Sequence, residues 1–156
     1  MMITAIGTDH ETVDLRQFDR ADLAWAAGFI DGDGMISFFN RSDRRGEYYV
    51  KMTAVNTDLE PLEKLQLMFG GSINTLFKMD NRYNWAPSWA WIVSHRKAER
   101  VLRVIGSFLV AKHKQAMLAL EARTLIGDRR RKRDAATLAR LASIETQFRA
   151  LNKKGK

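Results

Sequence analysis

The sequence predicts an α+β fold with helices on one face of an antiparallel sheet, and three observations predict it. Residues 35–56 and 72–94 each read as a pair of short strands around a polar turn stretch. Runs with helical spacing stand before, between and after these pairs. The resulting order, α-ββ-α-ββ-α followed by two more helices, leaves the second face of the sheet open to a partner. A length of 156 residues suits one domain.

Residues 1–18 show no clear period and read as an N-terminal arm. Asp19, with Asp22 three residues on, starts a helix over 20–30. Leu23, Ala26, Ala27 and Ile30 share one face, Trp25 and Phe29 lie on a neighbouring one, and Gly32 and Gly34 stop it. The stretch "MISFFNRSDRRGEYYVKMTAVN" gives two strands joined by Asn40–Gly46. In the second, Tyr49, Lys51 and Thr53 alternate with Val50, Met52 and Ala54. Asn56, Thr57 or Asp58 caps a helix carrying Leu59, Leu62, Leu65, Met68 and Phe69, which Gly70 and Gly71 end. Strands over 72–79 and 86–94 follow, with Trp89, Trp91 and Val93 on one face, read as core. Ser94 caps a helix holding Ala98, Val101, Leu102, Ile105 and Leu109. A further helix carries Ala111, Leu118, Ala122, Leu125 and Ile126, and Gly127 closes it. A charged link leads to a last helix with Leu138, Leu141, Ile144, Phe148 and Leu151. The chain thus divides into an arm (1–18), a core (19–127), and a basic link with a C-terminal helix of the same domain (128–156).

The composition narrows the chemistry. There is no cysteine, which removes disulfides, thiolate metal sites and cysteine nucleophiles. The first residues lack the pattern of a signal peptide, and no run approaches a membrane span, so an intracellular protein is expected. The net charge is +8 and is unevenly spread. Residues 1–111 hold 13 basic and 14 acidic side chains, whereas residues 112–133 hold eight basic and two acidic. A basic segment of this kind most often meets nucleic acid.

The stretch that carries the chemistry is "AAGFIDGDG", residues 26–34, in which Asp31 and Asp33 end an apolar helix. A polar turn alone would use the same residues. It is not an EF-hand loop, because Met35 and Ile36 stand where an acid or amide and a glycine are needed. Nor is it a dinucleotide fingerprint, because residue 37 is serine. The stretch resembles, position by position, the motif that names the LAGLIDADG homing endonucleases. "VNTDLEPLEKLQLMFGGSI" and "SFLVAKHKQAMLALEA" resemble two later segments of that family, in the same order. The resemblance covers about Asp22 to Ile126.

The resemblance implies a four-stranded antiparallel saddle across the DNA major groove, the motif helix at the centre, and extra C-terminal helices behind. A single motif implies the homodimeric branch. Ala24, Ala27 and Gly28 would then form the dimer contact, since small residues let two helices approach closely. By the same resemblance Asp33 is the catalytic metal ligand, helped by the Gly32 carbonyl, and Asp31 supports the end of the motif or caps it. Lys112 matches the family's active-site lysine. Asn56 stands where the family often has a glutamine that positions solvent, and its side chain is shorter. Mg2+ is the implied cofactor, with Mn2+ as a substitute. The implied activity is a double-strand break in a pseudo-palindromic DNA site of roughly 20 base pairs. Such enzymes are usually encoded in introns or inteins, which suggests a bacterial or phage cytoplasm or an organelle matrix.

Alternation selects the DNA-facing candidates: Ser37, Phe39, Arg41, Arg44 and Arg45, then Tyr49, Lys51 and Thr53, then Asn74, Lys78 and Arg82. Lys114, with Gln115 and His113 beside it, and Arg129, Arg130 and Arg131 are candidate backbone contacts. The alternative readings are a maturase that binds its intron RNA and a DNA-binding protein of the same fold without catalysis.

Overall fold

The computed structural model describes residues 18–41, 47–77, 86–127 and 132–153. Helix α1, Arg20–Asp33, opens on Asp19, whose carboxylate accepts the Ala21 N–H at 3.2 Å. It runs past Gly32, three residues further than the sequence predicts, and only Gly34 ends it. A Cβ at Gly34 would stand 2.7 Å from the Ile30 carbonyl oxygen, so the sharp exit from helix to strand requires glycine.

Strand β1 (Gly34–Asn40) pairs antiparallel with β2 (Tyr48–Asn56), placing Gly34 opposite Ala54 and Phe39 opposite Tyr49. Helix α2, Glu60–Phe69, follows an Asx turn in which Asp58 accepts the Glu60 N–H. Gly70 and Gly71 end it with φ of 72° and 93°, a left-handed region that side chains rarely enter. Strand β3 (Ser72–Phe77) then pairs with β4 (Ser88–Ser94), which also pairs with β2. The sheet order is β1-β2-β4-β3, antiparallel throughout.

Among the described residues, helices cover one face only. Ile36, Phe38, Val50, Met52, Ala54, Trp91 and Val93 point from the sheet into the core, where Ala26, Ala27 and Ile30 of α1 and Leu62 and Leu65 of α2 meet them. Trp91 is fully buried and donates its indole N–H to the Gly70 carbonyl, whereas Trp89 is only half-buried against the core. Helix α3 (His95–Ile105) continues as a single 3-10 turn over Gly106–Phe108, so Leu109 lies beyond the helix but stays buried. Helix α4 begins at His113 and ends at Ile126.

Helix α5, Ala135–Asn152, is capped by Asp134, which accepts the Thr137 N–H at 2.8 Å. Its Leu141, Ile144 and Phe148 join the same core. It also protects the edge of the sheet. Asn152 donates to the Ile36 carbonyl at 3.1 Å, and Glu145 accepts the Asn40 N–H, both backbone groups of the outermost strand. Arg140 of α5 forks onto Glu121 of α4 at 2.6 and 2.8 Å. Among the described residues no helix is long and apolar enough to cross a membrane.

Candidate active site at the end of the motif helix

A helix that ends in two acids, with no basic residue in its last turn, works against its own dipole. Such a local conflict marks a position kept for something other than stability. The structure resolves the conflict through residues distant in sequence. The Asp31 carboxylate accepts two backbone amides, from Val110 at 2.8 Å and from Lys112 at 3.0 Å. The Lys112 ammonium returns to donate to the Asp31 carbonyl at 2.5 Å. Asp31 therefore clamps the 110–112 segment and sets the lysine at the negative end of α1.

Asp33 is exposed. One of its oxygens accepts from the Asn56 side-chain amide at 2.7 Å, and the Asn56 oxygen accepts the Asp58 N–H at 2.8 Å. The second bond fixes which end of the amide faces Asp33. Asn56 is thus an orienting group for the carboxylate. One Asp33 oxygen receives no hydrogen bond from Asn56 and remains open to a ligand. Gly32 lies in the last turn, where helix carbonyls lack an intrahelical partner. The structure brings Asp31, Gly32, Asp33, Asn56 and Lys112 together, from the ends of α1 and β2 and the start of α4.

A divalent ion fits this arrangement as half a site. The donors are all oxygen, which suits a hard cation that keeps several waters. Among the described residues no three acids or histidines gather to hold a metal, so the chain's own donors here are the Asp33 carboxylate and the Gly32 carbonyl.

The exposed side of α1 carries Ala24, Gly28 and Gly32 in a row, with half-buried Trp25 and Phe29 beside it. Ala27 does not belong to that row. It is fully buried against its own chain, because residues 23, 26, 27 and 30 form the inward stripe. A Cβ at Gly28 or Gly32 would meet nothing within 4 Å. Neither glycine is required by its own chain, although glycine inside a helix costs about 1 kcal/mol relative to alanine.

On the open sheet face the register sets Phe39 beside Tyr49, Ser37 beside Lys51, and Asn74 in the row of Val55 and Ala90. Thr53 lies on that face, but its hydroxyl oxygen is enclosed and has no hydrogen-bond partner, so only its methyl is presented. Arg41 follows β1, its N–H bonded to the Glu47 carbonyl. Lys114 is exposed, but Gln115 is buried and cannot serve as a backbone contact. His113 bonds through Nδ1 to the Gly106 carbonyl, a structural role. Arg44, Arg45, Lys78, Arg82, Arg129, Arg130 and Arg131 lie outside the described residues. Sequence reasoning missed Met35, Val55 and Leu76, three exposed apolar side chains of β1, β2 and β3, and His95. Alternation could have found Met35 and Val55; His95 sits past the end of β4, where no period applies.

Solved structures share this architecture. The homing endonuclease I-CvuI, in complex with its target in the presence of Ca, matches with a TM-score of 0.68 at 22% identity over 88% of each chain. The fold is that of the LAGLIDADG homing endonucleases. The archaeal intron-encoded homing endonuclease I-Vdi141I, complexed with DNA, matches with a TM-score of 0.64 at 18% identity over 87% of each chain. The LAGLIDADG meganuclease I-CpaMI, bound to uncleaved DNA, matches at 0.63 and 16% identity, with 88% of this chain corresponding to 51% of that one. No family model matches the sequence, and no curated protein does either.

Proposed function

We propose that this chain is a homodimeric, site-specific DNA endonuclease that uses a divalent metal ion, Mg2+ in the first instance. The observation that carries this reading is the convergence of Asp33, Asn56 and Lys112 beside an exposed row of small residues. Packing α1 against its two-fold copy across Ala24 and Gly28 would bring both Asp33 carboxylates near the axis. Asp33 and the Gly32 carbonyl of each copy would hold the metal. When bound, the ion supplies Lewis-acid polarisation of the scissile phosphate and a more acidic water.

The chain's own groups account for the rest. Asn56 holds Asp33 in one orientation, so little reorganisation is needed at the reacting phosphate. The Lys112 ammonium keeps two N–H donors beyond the one given to Asp31, and these stabilise charge developing on the phosphate. Asp31 positions that lysine. The open sheet face lies in the major groove, and each half covers about one turn of DNA, so the site spans roughly 20 base pairs. Solved members of the fold in complex with DNA support DNA as the partner.

The test is a selection from a randomised duplex library in Ca2+, followed by Mg2+ addition to the recovered DNA. Recovery of near-palindromic duplexes, cut on both strands only after Mg2+, is the expected result. Binding without cleavage would leave a DNA-binding protein. Preferential binding of structured RNA would leave a maturase.

A further inference from the structure

The outer end of the sheet carries three rings in one row. Phe39 stacks on Tyr49 with centroids 5.5 Å apart, and Tyr49 meets His95 edge-on at 4.1 Å. The row crosses β1, β2 and the start of α3, on the open side of the sheet. Phe39 keeps 37% of its surface exposed, an expensive choice for a face with no helix above it. His95 has a φ of 51°, alone among the described non-glycine residues in that left-handed region. The kink turns β4 into α3 where the imidazole meets Tyr49. Histidine is, with asparagine and aspartate, among the non-glycine residues that enter this region more often than others.

The row carries no cation of its own. Burial lowers the His95 pKa from its ordinary 6.5, and the nearby Arg123 and Arg41 lower it further against the opposing pull of Glu47. At neutral pH the imidazole is therefore uncharged. Phe39, the exposed ring of the three, has no polar atom with which to contact a phosphate or a base-edge donor or acceptor. Major-groove base edges present one apolar group, the thymine C5-methyl, and aromatic side chains make apolar contact with it.

We propose that Phe39, Tyr49 and His95 form a subsite that reads thymine methyl groups in the major groove, midway along each half-site. This rests on the docking proposed above. Phe39 lies five positions along β1 from Gly34. At about 3.3 Å per strand residue and 3.4 Å per base pair, the subsite lies about five base pairs out from Asp33.

The experiment is a binding selection with the full chain in Ca2+, run on two randomised duplex libraries, one with thymidine and one with deoxyuridine throughout. The wild type should enrich thymine at one or two adjacent positions about five base pairs from the dyad. A selected site remade with deoxyuridine at those positions should bind about fourfold more weakly per methyl removed. A site carrying 5-methylcytosine there should bind better than one carrying cytosine. Phe39→Ser, at an exposed position, should lose these preferences while keeping the rest of the selected sequence. His95→Asn, which tolerates the left-handed backbone, should weaken them. Equal enrichment from both libraries, or guanine at those positions, overturns the subsite and leaves DNA recognition intact. Enrichment of no sequence from either library overturns the subsite and the proposed function together.

Discussion

Asp31 and Asp33 are the same residue type two positions apart, yet the structure gives them different work. Asp31 spends both oxygens on the amides of Val110 and Lys112, while Asp33 keeps an oxygen open beyond the one held by Asn56. Asp31→Asn removes one acceptor and turns a donor toward a backbone N–H. It should lower stability by about 1–3 kcal/mol, the penalty of an unsatisfied partner, and reduce cleavage even where the dimer still binds DNA. Thermal unfolding and single-turnover cleavage of the same preparation check this. Lys112→Ala should slow cleavage by about two to three orders of magnitude and weaken binding only modestly. Equal losses in both assays would make Lys112 an ordinary backbone contact. Asn56 was the residue whose role the sequence left open, because its departure from glutamine says nothing of what it reaches. It reaches the Asp33 carboxylate, with the bond from Asp58 fixing the orientation of its amide, and Asn56→Ala should lower the cleavage rate while leaving binding unchanged.

At the scale of elements, α1 is legible in sequence because its cap, inward stripe and terminal acids all occur locally. The outward row was misassigned at Ala27, since a run of small residues looks alike on both sides until Ile30 and Ala26 fix which side is inward. Alternation gave the two faces of β2 correctly, and Tyr48, Val50, Met52 and Ala54 are buried as it requires. The strand order was not legible, because the β2–β4 pairing joins segments about 40 residues apart. The protection of the β1 edge by Asn152 and Glu145 was hidden for the same reason. The open space around Gly28 gives a separation that few substitutions allow. Gly28→Ala should stabilise the isolated helix by about 1 kcal/mol and still weaken self-association, whereas Gly28→Leu should leave a folded monomer. Sedimentation and thermal unfolding measured together check both. At the β4–α3 junction, His95 has a folded pKa below its ordinary 6.5, so protonation favours the unfolded chain. Its contribution is complete above pH 6.5 and is lost as pH falls through the folded value. His95→Asn should flatten that part of the stability–pH curve.

For the whole molecule, the charge distribution and the site make one arrangement. The sheet offers a face with no helix over it, the basic residues of 112–133 lie in the segment that begins at the site, and each chain supplies one set of Asp33, Asn56 and Lys112. On the proposed function, a second copy docked on the exposed row of α1 would bring a second set of these residues to the same place. The most direct measurement pairs wild type with Asp33→Asn on a selected duplex, scoring binding and strand cleavage side by side in Ca2+ and Mg2+. The wild type should bind in both metals and cut both strands only in Mg2+. Asp33→Asn should bind at least as tightly, since two charges near the phosphates are gone, and cut neither strand. Normal cleavage by Asp33→Asn would contradict the central claim that this carboxylate, one from each copy, builds the site.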